Sequence, residues 1–424
     1  MTAQGRTRGA AIGPARTAAY EVLLRVFEHG AYADRAFATA AAELSVRDRA
    51  LAQRLAYGAV QRVRTLDHAI ATLGRRPVEK LDPPVRAALR LGTYQLAFID
   101  GVPRYAAVNE SVELVRRARL ERAVSFTNAV LRRVAEGVRP LLERLPEDTA
   151  AQAALKHSYP DWIAETWWRD LGGADALALM RAENEPPSTV VHVTARGHGR
   201  VEGDEDPDVP GALAVARVDE QAVAEGLVFP QSVGSQLAAL ALGARAGERV
   251  LDCCAAPGAK AIQLAESAAE VVAVELHEGR ARELEENVRR GGATNVRVVP
   301  ADALELPPGL AGFDRALVDA PCSGLGVLNS RPDLRWRARA LPELELALLR
   351  AAAERVRPGG TVLYSVCTIN REENEDVVDA SGLEVDATLG EEWPRFRHPR
   401  RPELLLTLPH VHATSGFFVA RLRV

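Results

Sequence analysis

Lysine is almost absent from this 424-residue chain: Lys80, Lys156 and Lys260 are three of its 53 basic residues, and the rest are arginine. Arginine use on that scale is a habit of the whole chain, so no single arginine carries a functional message. Cysteine is equally scarce. Four in this length exclude a disulfide scaffold. With no C-x-x-C pair, and with Cys253 adjacent to Cys254, they also disfavour a zinc site, and no metal is expected. No apolar run approaches the roughly 20 residues that a bilayer span requires, so no membrane partner is expected. The first residues carry arginines with no apolar stretch behind them, which argues against a secretory signal and for a cytoplasmic protein. Neither phosphate-binding fingerprint, G-x-x-x-x-G-K-[ST] or G-x-G-x-x-G, is present.

What is present reads as a globular, multidomain protein. Hydrophobic residues make up 47% and charged residues 26%, and the length implies two or three domains. The net charge of −4 conceals an asymmetry: residues 1–140 hold 23 Arg plus Lys against 13 Asp plus Glu, and the remainder is acidic. A basic first third on an acidic body suits contact with a polyanion; the plainer reading is a solvated helical surface.

The patterning changes along the chain. Residues 1–14 read as a flexible basic tail. Over 15–140 apolar residues recur with helical period, as in Ala19, Val22, Leu23 and Val26, or Ala56, Val60, Val63 and Ile70. Pro83-Pro84 opens a helix, Asn109-Glu-Ser precedes another, and the short breaks between suit an all-helical bundle. Arg116, Arg117, Arg119 and Arg122, with Arg132 and Arg133, would form its cationic surface. Residues 141–160 read as a linker and 161–230 as a small α+β subdomain with an acidic loop at 203–211. From 231 to 424 apolar strands alternate with helices: Arg249-Val-Leu-Asp-Cys-Cys, Val271-Val-Ala-Val-Glu, Val296-Arg-Val-Val, Phe313-Asp-Arg-Ala-Leu-Val-Asp and Thr361-Val-Leu-Tyr-Ser-Val. That alternation predicts a doubly wound α/β, Rossmann-like domain, closed by a late antiparallel strand at Gly416-Phe-Phe-Val-Ala-Arg-Leu.

In open α/β sheets ligands bind beyond the carboxyl ends of the strands. There the first strand runs into Leu251-Asp-Cys-Cys-Ala-Ala-Pro-Gly-Ala-Lys260, a loop of small residues that lets backbone approach a ligand closely. Glu275 ends the next strand, where an acid suits a ribose diol, and Asp302 follows the third, placed to accept from an adenine amino group. Together they favour S-adenosylmethionine, with S-adenosylhomocysteine as product. Two further strand ends carry Asp319-Ala-Pro-Cys322 and Cys367-Thr. If those strands are neighbours, about 4.8 Å apart, both thiols and the carboxylate face one substrate ring. Two thiols, an acid and a methyl donor fit one chemistry well. Cytosine C5 is too electron-poor to attack a sulfonium methyl until a thiolate adds at C6. Asp319 at N3 would hold the developing charge. A base must then remove the C5 proton, either the second cysteine or a water it orients. Buried cysteines acting as small hydrophobes are the plainer alternative.

These motifs resemble those of the RNA cytosine-C5 methyltransferases, specifically the Sun/RsmB-type 16S rRNA enzymes with a NusB-like N-terminal domain. The resemblance implies that 15–140 is a NusB-like RNA-binding domain and that 231–424 is the class I methyltransferase domain. It implies Cys367 as the nucleophile on C6, Cys322 as the residue assisting release, and Asp319 on the base. The implied cofactor set is Cys254, Ala255, Ala256, Pro257, Gly258, Ala259, Lys260, Glu275, Asp302 and Asp319. The implied partner is RNA, foremost 16S rRNA, met by a monomer with no obligate protein partner. A tRNA target, or a non-catalytic NusB-like assembly factor, are the alternatives. The chain departs from the family at Ala259, where a second glycine is usual, at Val366 in place of threonine, at Glu275 in place of aspartate, and at Ser415. Two arginine-rich stretches, 329–339 around Trp336 and 395–401, are candidates for holding phosphates. For the first, Trp336 plugging a core is an equal alternative.

Overall fold

The structure, a computed structural model, describes residues 12–424; the tail expected over 1–14 lies almost wholly outside the described residues. The chain packs as two compact units. The first runs to Asn184 and takes in Leu328–Arg337; the second comprises the intervening residues and those from Ala338 to the C-terminus.

The first unit is helical: α1 (Pro14–His29), α2 (Ala33–Ala40), α3 (Val46–Gln61), α4 (Val63–Gly74), α5 (Pro83–Phe98), α6 (Arg104–Arg117), α7 (Glu121–Glu143), α8 (Ala150–His157), α9 (Asp161–Leu171) and α10 (Gly173–Ala182). Local chemistry sets several ends. Pro14 and Pro83 sit at the first helical positions, where a missing N–H costs nothing. Ser45 and Thr149 accept from the backbone N–H groups of Asp48 and Gln152. The apolar stripes read from the sequence face a shared core, with Ala19, Val22, Ala56, Val60 and Ile70 all buried. Gly58 lets α3 and α5 meet, since a Cβ there would lie 1.9 Å from Tyr94 Oη. Asn109-Glu-Ser falls inside α6 instead of preceding a helix. Extended Pro103 starts that helix, and Glu110 serves a tertiary role, accepting from Gly13 N–H and pairing with Arg16.

Of the stretch 329–339, read as a possible phosphate-binding segment, residues up to Arg337 belong to this unit, and Arg335 and Trp336 are committed within it. The stretch includes the short helix α15 (Leu334–Arg337), numbered after the four helices of the second unit that precede it in the chain. Arg335 is fully buried, its guanidinium 3.8 Å from the Tyr159 ring centroid. It donates to the backbone oxygens of Gln61, Ser158 and Glu183, to Asn184 Oδ1 and to Tyr159 Oη. Glu183 is buried beside it, its pKa pushed up to about 7 by burial and restrained by Arg335. The Trp336 indole N–H donates to Val60 O at 2.7 Å. Arg335 is thus closed to RNA, and Trp336 packs partly buried against the helical core.

The second unit begins with a small antiparallel sheet of β1 (Val190–Val193), β2 (Asp204–Glu205), β3 (Ala212–Ala214) and β4 (Val228–Pro230), ordered β2-β3-β1-β4, with α11 (Glu220–Ala224) before its last strand. The stretch 161–230 is therefore shared between the units, its helices in the first and its strands in the second. After α12 (Val233–Ala241) come β5 (Arg249–Asp252), α13 (Ala259–Ala265), β6 (Glu270–Glu275), α14 (Glu278–Gly291), β7 (Val296–Pro300), β8 (Phe313–Asp319), α16 (Pro342–Ala353), β9 (Val356–Val366), α17 (Glu375–Ser381), β10 (Glu384–Val385), β11 (Leu405–Thr407) and β12 (Phe417–Arg423). The main sheet runs β10-β12-β9-β8-β5-β6-β7, with β11 also on β12. Strands β5 to β9 are parallel, and β12 is antiparallel to β9 as its sequence suggested. Strand order reverses between β5 and β8, which is where ligands bind in such sheets. Among the described residues no helix is long and apolar enough to cross a membrane.

Arg335 supplies the test of this arrangement. Arg335→Ala removes the cation beside buried Glu183 and leaves several carbonyls without their donor, and should cost about 3–5 kcal/mol of unfolding free energy in urea titration. A loss below about 1 kcal/mol would show that the guanidinium network is dispensable.

Candidate active site

Strands β8 and β9 pair in parallel with Asp319 opposite Ser365, and the pairing extends to Ala320 N–H donating to Ser365 O. Each chain then leaves the sheet, and the two loops carry Cys322 and Cys367 with their sulfurs 3.5 Å apart. Two backbone bonds fix the loops: Gly326 N–H donates to Cys367 O, and Gly416 N–H to Gly326 O. Glycine is required at the crossing, because a Cβ on Gly326 would lie 2.1 Å from Gly416 O. The Cys322 thiol is held well above the ordinary range, first by its hydrogen bond to the Cys367 sulfur and then by burial. Cys322 thus keeps its proton.

Asp319 is gripped from two sides. Lys260 Nζ donates to Oδ2 at 2.7 Å and the Ser365 hydroxyl to Oδ1 at 2.9 Å. The lysine also lies 5.4 Å from the Phe417 ring centroid, on the strand after the Gly416 crossing. The structure therefore brings together Cys322, Cys367, Asp319 and Lys260 at the ends of neighbouring strands.

The expected cofactor loop leaves β5 beside them. Cys253 N–H donates to Leu317 O and Ala255 N–H to Val274 O, stitching the loop to the strands on either side. Ala256 O and Pro257 O accept from Arg280 and Asn287, and Gly258 has φ +111°, with Leu284 2.6 Å from where a Cβ would sit. Ala259 begins α13. Cys253 is buried, while burial, then the Asp252 carboxylate, pushes the Cys254 thiol up. Glu275 is buried at the end of β6, where one oxygen accepts from His277 N–H and the other faces Arg280 at 3.4 Å. Asp302 follows β7 and caps a short turn by accepting from Leu304 N–H. Glu275 and Asp302 stand at the ends of consecutive strands beyond the loop, two and three strands from the β8 end that carries Asp319.

Two carboxylates escaped the sequence reading. Asp252, the last residue of β5, is buried, and neither oxygen completes a hydrogen bond. Burial first, then the nearby Asp319 charge, raises it to about 7 against the pull of Lys260. Glu373 is fully buried between the cysteine loops. It accepts from Ser323 N–H and hydroxyl, from Asn370 Nδ2 and from Leu341 N–H, while Thr368 bonds to Ser323. Ser323 and Thr368 directly follow the two cysteines, so one carboxylate holds both loops. The available signal was the polar run Thr368-Ile-Asn-Arg-Glu-Glu-Asn straight after a buried strand.

The second arginine-rich stretch is largely neutralised internally. Arg395 pairs with Asp206 and Asp208, Arg401 with Asp379 and Glu403, and buried His398 with Glu375. Among the described residues no cluster of His, Cys, Asp and Glu is arranged to hold a metal.

Comparison with known proteins places this geometry. Residues 239–423 match the family described as 16S rRNA methyltransferase RsmB/F, and residues 13–136 match the NusB family. A probable ribosomal RNA small subunit methyltransferase B from Bacillus subtilis is 32% identical, covering 96% of this chain and 98% of its own. Ribosomal RNA small subunit methyltransferase B of Thermus thermophilus is 39% identical over 79% of this chain and 78% of its own. Among solved structures, PH0851 aligns over 98% of this chain and 100% of its own with a TM-score of 0.79 at 23% identity, a likeness of fold.

The sulfur separation is directly testable. Mild oxidation with diamide should join Cys322 to Cys367, detected by peptide mapping, because 3.5 Å needs only a small closure to bonding distance. Glu373→Ala, which frees both loops, should slow that closure about tenfold. No 322–367 linkage in the parent chain would contradict the geometry.

Proposed function

The chain belongs to the RsmB/F family of 16S rRNA methyltransferases with a NusB domain, and from that premise we propose that it methylates C5 of a cytosine through a cysteine adduct at C6. The observation that carries the proposal is the pair of thiols 3.5 Å apart beside the Lys260–Asp319 pair. A tRNA target has no comparable support, since the relatives are named for small-subunit rRNA. A purely binding role leaves the paired thiols without purpose. We assign RNA binding to 15–140 and catalysis to 231–424, in a cytoplasmic monomer.

S-adenosylmethionine, when bound, supplies the sulfonium methyl and departs as S-adenosylhomocysteine. The residues present suit it. The small-residue loop Cys254–Ala259 admits close backbone approach, Glu275 and Asp302 stand at successive strand ends for the ribose and adenine, and unsatisfied Asp252 offers a carboxylate to a cationic group. The Cys367 thiolate forms a bond to C6, and the C5=C6 electron pair moves toward C5 and the N3 side of the ring. N3 takes a proton through Asp319, replenished from Lys260, which neutralises the developing charge in a water-poor site. Once C5 carries its methyl group, a base must remove the C5 proton. Cys322 loses its hydrogen-bond partner when the Cys367 sulfur enters the adduct. A water oriented by the Cys322 sulfur takes the C5 proton as the double bond re-forms and the Cys367–C6 bond breaks, and N3 returns its proton through Asp319 to Lys260.

Cys367→Ala should abolish transfer of labelled methyl to 16S rRNA, while Cys322→Ser should accumulate a protein–RNA adduct that survives denaturing electrophoresis. Turnover by the first variant, or no adduct with the second, would reverse these roles. A pH profile gives a separate test. Asp252 is carboxylate above about 7 and neutral below it, so affinity for the cationic cofactor should weaken as pH falls through 7, approaching tenfold per unit. Asp252→Asn should flatten that profile in calorimetric titration.

A further inference from the structure

On the helical unit, the connection between α4 and α5 and the connection between α6 and α7 enclose an open cavity of about 490 Å³. Its floor is apolar, with Leu81 and Val85 buried and Phe126 partly buried. Its rim carries four exposed cations: Arg76 and Lys80 from the first connection, Arg119 from the second and Arg122 from the first turn of α7. Several arginines of the unit are paired, while others, such as Arg117, Arg132 and Arg133, share the unpaired state of the rim cations; what sets the rim apart is that its four cations surround one apolar floor. Arg116 pairs with Glu113, Arg86 with Glu28, Arg90 with Asp67 and Arg139 with Asp100. The four at the rim make no ion pair within 4 Å among the described residues, and the two rim carboxylates, Asp82 and Glu121, leave them in excess.

Two details make this more than a solvated patch. The Arg76 guanidinium lies 5.4 Å from the Phe126 ring centroid, so a cation and an aromatic face already share one wall. Arg119 has φ +60°, a left-handed conformation that a branched or bulky side chain adopts at a cost and glycine would adopt freely. The strained position is spent on a guanidinium with no protein partner.

We infer that this cavity binds a single-stranded step of the RNA substrate, with one unstacked base on the Phe126–Leu81 floor and its flanking phosphates between the Arg76–Lys80 and Arg119–Arg122 sides. The volume suits a nucleobase with its sugar, and base stacking combined with a cationic rim is how single strands are held without sequence readout. A duplex keeps its bases stacked and could meet the rim alone. The inference rests on the RNA-methyltransferase reading and adds to it where, and in what form, the helical unit grips its substrate.

The full-length chain is titrated into a fluorescein-labelled 12-nucleotide single strand and into the matching duplex, followed by anisotropy at several salt concentrations. Arg76→Glu with Arg122→Glu should weaken single-strand binding by about tenfold or more and lower the salt slope by about two. A control with the same charge change on α7, Arg132→Glu with Arg133→Glu, should lose at most about threefold. Phe126→Leu, which keeps the floor filled, should weaken the single strand by about fivefold and leave the duplex unchanged. Equal losses in both charge-reversal variants would reduce the cavity to general electrostatics and overturn the inference, as would a Phe126→Leu variant that binds the single strand like the parent. If the parent methylates rRNA while the Arg76/Arg122 variant binds it normally, the cavity assignment fails and the enzyme reading stands. If the parent binds neither RNA, both fall.

Discussion

The parallel pairing of β8 with β9, Asp319 opposite Ser365, is the constraint on which the site depends. Parallel strands end on the same side of a sheet, so two loops that are 45 residues apart in sequence emerge side by side. A shift of one residue in this register would turn the side chains of one strand to the opposite face and separate the thiols from each other and from Asp319. Everything else around the cysteines protects that alignment. Glu373 anchors the residue after each cysteine, and the Gly326–Gly416 crossing ties the first loop to the antiparallel strand β12. These contacts come from four separate stretches of chain, so the pocket is held by the edges of the sheet and not by any one loop.

Such a site is electrostatically costly. Asp252, Glu373, Glu275 and Asp319 lie at the strand ends, three of them nearly inaccessible to water, and a buried carboxylate is tolerated only with donors or a nearby cation. Glu373 meets that need with backbone and hydroxyl donors. Asp319 meets it with Lys260 and Ser365. Asp252 has only Lys260, already paired with Asp319, to set against its burial, which is why its ionisation is displaced toward neutral pH. Unsatisfied polarity of this kind weakens the empty fold and is relieved when a positively charged ligand arrives. Stability is thus given up where ligand affinity is gained.

The sequence made much of the scaffold legible because its signals were local. Strand β8 appeared with the bounds the alternation implied, the helical stripes around Val22 and Val60 face a core, and the late strand at Phe417 runs antiparallel as expected. The cysteines could be read as a pair only because each sits just past the end of an apolar strand. What stayed hidden depends on tertiary placement. Spacing cannot distinguish Arg335, buried among carbonyls, from an arginine that meets phosphate, since both occupy the same polar run. Glu373 is one acid of a polar run, and only the fold puts its carboxylate between two loops. Asn109-Glu-Ser resembled a helix start, yet Pro103 had already begun the helix and Glu110 was committed to Gly13 and Arg16.

Lysine at position 260 is the sharpest compositional clue to mechanism, given how thoroughly arginine has replaced it elsewhere. A guanidinium opposite Asp319 would bind both carboxylate oxygens in a planar fork and, with a pKa above 12, would not release a proton. The ammonium of Lys260 touches only Oδ2 and leaves Oδ1 to Ser365. That single-point contact lets the carboxyl group turn toward a substrate ring without losing its counter-ion. At the start of α13, then, the chain has its lysine where a cation steadies Asp319 through a single oxygen.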